Sequence, residues 1–180
     1  MATQERTLEV AVVQRPPVSL DRDATLEAAI ATLAEVAADG AELVVFPETY
    51  VPGYPDYIWR LAPGADSRVA HELHRRLMDQ AVDLETDHLD ALRSAIAELG
   101  IHVVMGVHER EGEYSRGTLF NTLLTFGPNG ELLNRHRKMM PTHPERMVWG
   151  AGDASGLRVM ETPMGRLGGL ICWENYMPLA

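Results

Sequence analysis

Cysteine and lysine are the residue types that this sequence has least of: its 180 residues include one of each, Cys172 and Lys138. A single cysteine excludes an intramolecular disulfide, and with it the small secreted folds that disulfides hold together. All the other basic residues are arginine, so the lone lysine raises the question of what arginine could not do there. Lysine carries a compact charge with an adjustable pKa, whereas the guanidinium of arginine is planar and stays protonated.

Basic residues and long apolar runs are also scarce. Sixteen basic against 26 acidic side chains give a net charge of −10, and the densest basic run is the short segment 135–138. Nucleic acids and anionic membranes need a concentrated basic surface, so neither is expected as a partner. No apolar run approaches the roughly 18 residues that cross a bilayer. The polar N-terminus lacks the layout of a signal peptide, and a cytoplasmic protein is the default expectation.

The residues that are present predict an α/β layered fold. Apolar residues make up 46% of the chain, enough for one domain with a sizeable core. Short β-branched runs at 8–13 and 43–46 predict strands, the first of them covered on both faces. Helical spacing from about Asp21 to Ala38 predicts a helix between them, capped by Asp21 or Asp23. The order strand, helix, strand is typical of such folds.

The rest of the chain continues this alternation. Helices are predicted at about 66–82 and 86–99, and a strand at 101–108. Two hairpins are predicted, one from 119–126 and 132–136 and one from 157–161 and 166–171. The Pro-, Gly- and aromatic-rich loop at 49–65 is long enough to be functional. The pattern thus predicts several strands with three helices packed against them.

Three candidate residues each follow a predicted strand: Glu48, Lys138 and Cys172. Ligands in α/β sheets bind beyond the carboxyl ends of strands. A thiol of ordinary pKa, about 8.5, needs a base or a nearby positive charge to become the reactive thiolate. Glu48 could take the proton, and Lys138 could stabilise the charge that develops on a substrate. Taken singly, the three have plainer interpretations as a small buried thiol, a solvated carboxylate and a surface ammonium.

The joint pattern resembles the nitrilase branch of the carbon–nitrogen hydrolase superfamily. Residues 40–55 (GAELVVFPETYVPGYP) resemble its glutamate motif, 137–146 (RKMMPTHPER) its lysine motif, and 168–178 (GGLICWENYMP) its cysteine motif. The motifs occur in the family's order, and the resemblance runs from about residue 8 to the last residue. The CWEN and PTHxER segments are similar to true nitrilases rather than to the amidase branches.

The resemblance implies a catalytic role for four positions. Cys172 would be the nucleophile, Glu48 the general base and Lys138 the cation that stabilises the tetrahedral species. Glu145 would be a second glutamate that helps to position Lys138 and the substrate. The implied activity converts a nitrile to a carboxylic acid and ammonia through covalent thioimidate and thioester intermediates. A cyanide-degrading member of the same branch is an alternative.

The resemblance also implies a binding site, a fold and an assembly. Tyr54 would line the substrate pocket, Trp173 would lend its backbone N–H, and neither a metal nor an organic cofactor would be needed. The family fold is a four-layer α-β-β-α sandwich, of which this chain would supply the N-terminal part. Family members pair through helices and nitrilases often form spirals, so a homo-oligomer is expected.

Two rival interpretations stay open. A cysteine–histidine hydrolase would need His102, His108 or His143 beside Cys172. The second rival starts from length: residues 1–180 are expected to be one carbon–nitrogen hydrolase domain that is incomplete at its C-terminus. Such a chain could be a catalytically incompetent fragment that acts only as an assembly or interaction module, because unpaired sheet edges and uncovered apolar faces favour partner binding.

A zinc-protease helix is excluded by spacing. His71 and His74 resemble that motif, but the position where it needs its second histidine is Arg75.

Overall fold

The structure is a computed structural model that describes residues 7–62, 64–115 and 117–180. The strands in these ranges are β1 (Val10–Val12), β2 (Leu43–Val45), β3 (His102–Arg110), β4 (Leu119–Phe126), β5 (Leu132–Arg137), β6 (Met160–Thr162) and β7 (Gly165–Leu167). The α-helices are α1 (Arg22–Ala38), α2 (Ser67–Asp79) and α3 (Asp90–Leu99). Short 3-10 helices are η1 (Asp56–Trp59), η2 (His143–Met147) and η3 (Cys172–Tyr176).

Five strands form one sheet in the order β1-β2-β3-β4-β5, and β6 pairs with β7 separately. Strands β1, β2 and β3 are parallel, whereas β4 is antiparallel to both β3 and β5. Strand β5 therefore runs in the same direction as β2, and the carboxyl ends of β2 and β5 lie at the same edge of the sheet. The predicted mixed α/β fold is confirmed, and this edge is where the candidate residues converge.

Helices α1 and α3 cover one face of the sheet. Asp21 caps α1 by accepting a hydrogen bond from the backbone N–H of Ala24 at 3.0 Å, and Gly100 ends α3 in the left-handed conformation. The Asp21 cap matches the expectation from the sequence, and the end of α3 at Leu99 matches the predicted bound. Apolar side chains of the two helices share one buried cluster with the sheet: Leu26, Ala29, Leu33, Leu92, Ile96, Val44, Val103 and Met105.

The opposite face of the sheet is open at its β1 edge. Val10 is 46% exposed and Val12 is 68% exposed, whereas Ala11 packs against the buried cluster. The prediction that this strand is covered on both faces is therefore wrong for the described residues, because none of their elements packs over the two valines. Within the same ranges, no helix has both the length and the apolar character to cross a membrane.

The second hairpin is shorter than predicted. Its strands pair over three residues each, from Met160 opposite Leu167 to Thr162 opposite Gly165. The amides of Leu157 and Arg158 bond back to nearby carbonyls in a turn, and among the described residues no strand pairs with 168–171. Those residues instead lead into η3, which begins at Cys172.

His108 in β3 is a buried histidine that joins two distant segments. Its Nδ1 lies 3.0 Å from the indole nitrogen of Trp149, and its Nε2 lies 2.9 Å from the carbonyl oxygen of Gly53. An indole nitrogen can only donate, so Nδ1 accepts and Nε2 carries the proton that is donated to Gly53. A neutral ring satisfies both contacts, and burial lowers the pKa of His108 to about 3.

We expect this histidine to make the fold sensitive to acid. Its ordinary pKa is 6.5, so as the pH falls from there toward 3 the unfolded chain binds a proton that the folded chain excludes, and stability is lost. His108→Gln has no ring to charge, and losing a hydrogen-bond partner should lower its stability near neutrality by about 1–3 kcal/mol. The free energy of unfolding in urea should therefore fall less in this variant than in the unmodified chain between about pH 7 and about pH 4.5. Equal losses in the two proteins would contradict the assignment.

Candidate active site

The predicted charged residues meet at the sheet edge where β2 and β5 end. Glu48 lies three residues beyond β2, and Lys138 directly follows β5. The ammonium Nζ of Lys138 donates to Oε1 of Glu48 at 2.9 Å and to Oε2 of Glu145 at 2.8 Å. Lys138 is 1% exposed. The sequence's one lysine is thus a buried cation held between two carboxylates.

The electrostatics of this cluster keep Lys138 charged. Burial alone would lower the pKa of Lys138, but its hydrogen bonds to Glu145 and Glu48 outweigh burial, and the pKa is raised above its ordinary value. The indole ring of Trp149 adds a cation–π contact, with its centroid 5.9 Å from Nζ. Lys138 is therefore a fixed positive charge rather than a proton donor near neutral pH.

Glu145 is held by the local structure of η2. It is the third residue of that helix, and its Oε2 accepts from the backbone N–H of Thr142 at 2.6 Å in a capping box. Its Oε1 accepts from the hydroxyl of Tyr54 at 2.7 Å. With Lys138 as third donor, the buried carboxylate is fully bonded, which fixes its position and through it that of the ammonium.

Tyr54 reaches the cluster through Glu145. Its hydroxyl donates to Glu145 and accepts from the indole N–H of Trp59 at 3.0 Å. Burial raises the pKa of Tyr54, and the neighbouring Glu145 adds to this although the hydrogen bond from Trp59 opposes it. The phenol therefore stays protonated and serves as a donor.

The backbone around Glu48 depends on a glycine in β3. A Cβ atom at Gly106 would collide with the backbone of residues 47–49, so only glycine lets this turn cross the sheet edge. The side chain of Glu48 is 28% exposed, and its Oε1 accepts from the side-chain amide of Asn121 at 2.6 Å. Sequence reasoning missed both residues, although a glycine inside a strand signals close backbone approach. For Asn121 the only signal was a polar side chain in an apolar strand.

Cys172 and Glu48 line the same cavity. Cys172 is an exposed residue, and Asn121 also lines this cavity, whose volume is about 400 Å³. Most of the remaining wall is apolar, and Val45, Val104 and Leu123 contribute to it. A cavity of this size suits a small ligand.

Strained backbone borders the site. Among the described residues, five non-glycine positions have a positive φ, and three of them are Thr49, His143 and Cys172, with φ of 47°, 46° and 57°. Thr49 follows Glu48, and His143 opens the helix that carries Glu145. Such conformations cost about 1–3 kcal/mol each and cluster at functional sites.

Glu174 ties Cys172 to the lysine segment. Its carboxylate accepts from the backbone N–H groups of Ile171 at 2.7 Å and Met139 at 2.8 Å, and lies 2.7 Å from Nε2 of His136. Burial opposes the charge on Glu174, but these hydrogen bonds outweigh it and hold the pKa of the carboxyl below its ordinary value. No pattern in the sequence indicated a role for Glu174, although it lies within the cysteine motif. Two of its partners, Met139 and His136, are 35 and 38 residues away in the sequence.

Trp173 and Tyr54 are the two residues predicted to bind substrate. Trp173 is 60% exposed, and its ring packs 5.1 Å from that of Tyr176. Neither Trp173 nor Tyr54 is among the residues that line the cavity beside Cys172. Their roles in binding substrate stay predictions.

A histidine partner for Cys172 finds no support in the geometry. None of the described residues that line its cavity is a histidine. His108 is occupied by Gly53 and Trp149, and His143 stacks on Trp59 with ring centroids 6.3 Å apart. His102 begins β3 and so lies at the opposite edge of the sheet. The described ranges also contain no group of three His, Cys, Asp or Glu side chains placed to hold a metal ion.

The chain is similar to curated proteins that are named as nitrilases. "Nitrilase 3" from an unknown prokaryotic organism is 42% identical over 175 residues, which are 97% of this chain and 51% of that protein. "Bifunctional nitrilase/nitrile hydratase NIT4A" from Lupinus angustifolius is 41% identical, over 96% of this chain and 49% of its own length. The chain thus spans about half the length of these curated relatives.

The fold has a solved counterpart, and the sequence matches a family profile. The NitN amidase from Neterenkonia sp. AN1 superposes with a TM-score of 0.68 at 19% identity, covering 93% of this chain and 58% of that one. The carbon-nitrogen hydrolase profile matches residues 9–180, which is nearly the whole sequence. The chain belongs to the carbon–nitrogen hydrolase family.

Proposed function

We propose that this chain carries the catalytic residues of a nitrilase, which hydrolyses a nitrile to a carboxylic acid and ammonia. The observation that supports this most directly is the buried Lys138 between Glu48 and Glu145, with Cys172 and Glu48 on the wall of one cavity. Relatives about 40% identical are named as nitrilases, which favours a nitrile as substrate. The resemblance to an amidase structure concerns the fold alone.

Cys172 is the proposed nucleophile and Glu48 its general base. A thiol becomes reactive when a neighbour takes its proton. Glu48 is partly exposed to the cavity, and Lys138 and Asn121 keep one of its oxygens in place. Proton transfer from Cys172 to Glu48 moves a negative charge from one carboxylate to sulfur and leaves the total charge of the site unchanged. No new charge has to be buried.

Lys138 is the proposed stabiliser of the anion that forms on the substrate. When sulfur bonds to the nitrile carbon, a pair of C≡N electrons moves to nitrogen, and the proton held by Glu48 completes a thioimidate. A preorganised donor at such a developing charge contributes about 3–4 kcal/mol. Glu145 acts through Lys138 as a positioning residue. Its Oε1 accepts from the hydroxyl of Tyr54, and its Oε2 also accepts from the backbone N–H of Thr142.

Two waters complete the reaction. The first adds to the thioimidate carbon after Glu48 takes one of its protons, giving a tetrahedral species that bears OH, NH₂ and sulfur. Cleavage of the C–N bond, with protons passed to nitrogen, releases ammonia and leaves a thioester. The second water breaks the C–S bond, giving the carboxylic acid and restoring the thiol. Cleavage of C–S in the first tetrahedral species would release an amide instead, so both products need to be measured.

The apolar wall of the cavity favours the organic part of a small nitrile as its occupant. A homo-oligomer, either a dimer or a spiral assembly, and a cytoplasmic location stay predictions. Support for an assembly comes from the exposed Val10 and Val12 on the open face of the sheet.

Removing the nucleophile tests the function directly. The unmodified chain should release ammonia from at least one member of a panel of aliphatic, aromatic and arylacetonitriles, and Cys172→Ala should stay at the level of a protein-free blank. Amide and carboxylate are measured in the same reactions. Release by Cys172→Ala would exclude the proposed nucleophile. No release by the folded, unmodified chain would exclude the proposed activity for this chain and favour a role as an assembly module.

Replacing the lysine tests the electrostatic role. In Lys138→Arg the planar guanidinium cannot sit between the two carboxylates as the compact ammonium does, so kcat for the best nitrile should fall by at least about 100-fold. Arg135→Lys is the matched control, because it exchanges the same two residue types nearby at the partly exposed pair with Glu109. Lysine keeps the charge beside Glu109, which also accepts from Thr122 and Arg137, and kcat should stay close to that of the unmodified chain. A Lys138→Arg variant as active as this control would contradict the role of Lys138.

A further inference from the structure

Asn121 is a buried polar residue that takes no chemical step in the proposed reaction. It lies in β4, is 1% exposed, and faces the cavity that Glu48 and Cys172 also line. Its register partner in β3 is His108, so the packed centre of the sheet fixes its backbone. Buried side-chain polar groups of this kind generally have hydrogen-bond partners.

Asn121 contacts both members of the glutamate–lysine pair. Its side-chain Nδ2 donates to Oε1 of Glu48 at 2.6 Å. Its backbone carbonyl accepts from the N–H of Lys138 at 2.8 Å. One residue therefore sets the distance between the end of β2 and the end of β5.

The orientation of this amide suits an ionised carboxylate. A carboxylate can only accept, so the NH₂ group of Asn121 must face it. Within the described residues, Oδ1 of Asn121 is buried without a partner, which is unfavourable. The hydrogen bond from Nδ2 to the charged Glu48 offsets this loss. An amide turned the other way would place two acceptors in contact.

The contact also decides which oxygen of Glu48 remains available. Oε1 already receives two donors, Asn121 Nδ2 and Lys138 Nζ. Oε2 has no hydrogen bond to any residue in the described ranges. With Oε1 held from two sides, Oε2 keeps its lone pairs for a group in the cavity, and Cys172 lines that cavity.

We infer that Asn121 is a positioning residue that orients Glu48 so that its free oxygen accepts the proton of Cys172. The inference rests on the proposed function, in which Glu48 is the base. A purely structural role for Asn121 predicts something different, because losing the amide would then weaken the fold without acting through Glu48.

The test uses the single cysteine as its own reporter. The rate at which iodoacetamide alkylates Cys172 near pH 7 is followed by intact mass, which needs no turnover and no knowledge of the substrate. Five proteins are compared: the unmodified chain, Glu48→Gln, Asn121→Leu, the double variant of these two, and Asn134→Leu. Asn134 is the matched control, because it is 4% exposed and its Nδ2 bonds to the carbonyl of Gly156 rather than to the site. Asn121→Ser, too short to reach Glu48, repeats the test if the leucine variant fails to fold.

If Asn121 acts through Glu48, Asn121→Leu should slow alkylation by roughly tenfold or more. Tenfold is the lower end of the effect expected when a hydrogen bond to a charged group is lost. Glu48→Gln should slow it at least as much, and the double variant should be no slower than Glu48→Gln. Asn134→Leu should react at the unmodified rate.

The possible failures can be told apart. An unmodified rate in Asn121→Leu, beside a slow Glu48→Gln, would overturn the positioning role and leave the proposed function standing. Two results would show that Asn121 only stabilises the fold: the two reductions in alkylation rate multiply in the double variant, or Asn134→Leu reduces the rate as much as Asn121→Leu. An unmodified rate in Glu48→Gln would overturn the proposed base itself, and the inference with it.

Discussion

The buried ammonium of Lys138 is the constraint on which the rest of the site depends. A lone charge taken out of water costs several kcal/mol, so it needs nearby counter-charges and hydrogen bonds. Glu48 and Glu145 supply them at 2.9 and 2.8 Å. They come from different parts of the chain, so the sheet edge and η2 must be assembled before the lysine is satisfied. The charge thus fixes where three separate segments lie.

The surrounding residues keep these segments in register. Gly106 lets the backbone of Glu48 cross the sheet edge, and Asn121 bonds to the side chain of Glu48 and the backbone of Lys138. Glu174 joins η3 to the residues that follow β5. Asn121 and Glu174 both bond to backbone groups of another element, and such contacts are specific because backbone groups cannot rotate away. Through the backbone N–H of Ile171, Glu174 holds the backbone that leads into Cys172.

Local patterns predict the helices and most strands, because period and capping act over a few residues. They also indicate Glu48, Lys138 and Cys172, since the end of a strand and a unique residue type are visible in sequence. Asn121, Gly106 and the partners of Glu174 depend on strand order and register, which no local pattern specifies. The exposure of Val10 and Val12 was mispredicted for a related reason. An apolar run indicates that a strand can be buried, but it does not show whether an element of the described chain covers that strand.

The charges at the site explain why one lysine is paired with two carboxylates. With Lys138 protonated and both glutamates ionised, the cluster carries one excess negative charge, and that excess belongs to the carboxylate that faces the cavity. Glu145 is bonded by Lys138, Thr142 and Tyr54, whereas Oε2 of Glu48 has no hydrogen bond to the residues that the structure describes. In the proposed mechanism the proton of Cys172 therefore goes to Glu48, and Lys138 stabilises the anion that forms on the substrate. Arginine at position 138 would supply the charge, but its planar guanidinium could not sit between the two carboxylates as the compact ammonium does.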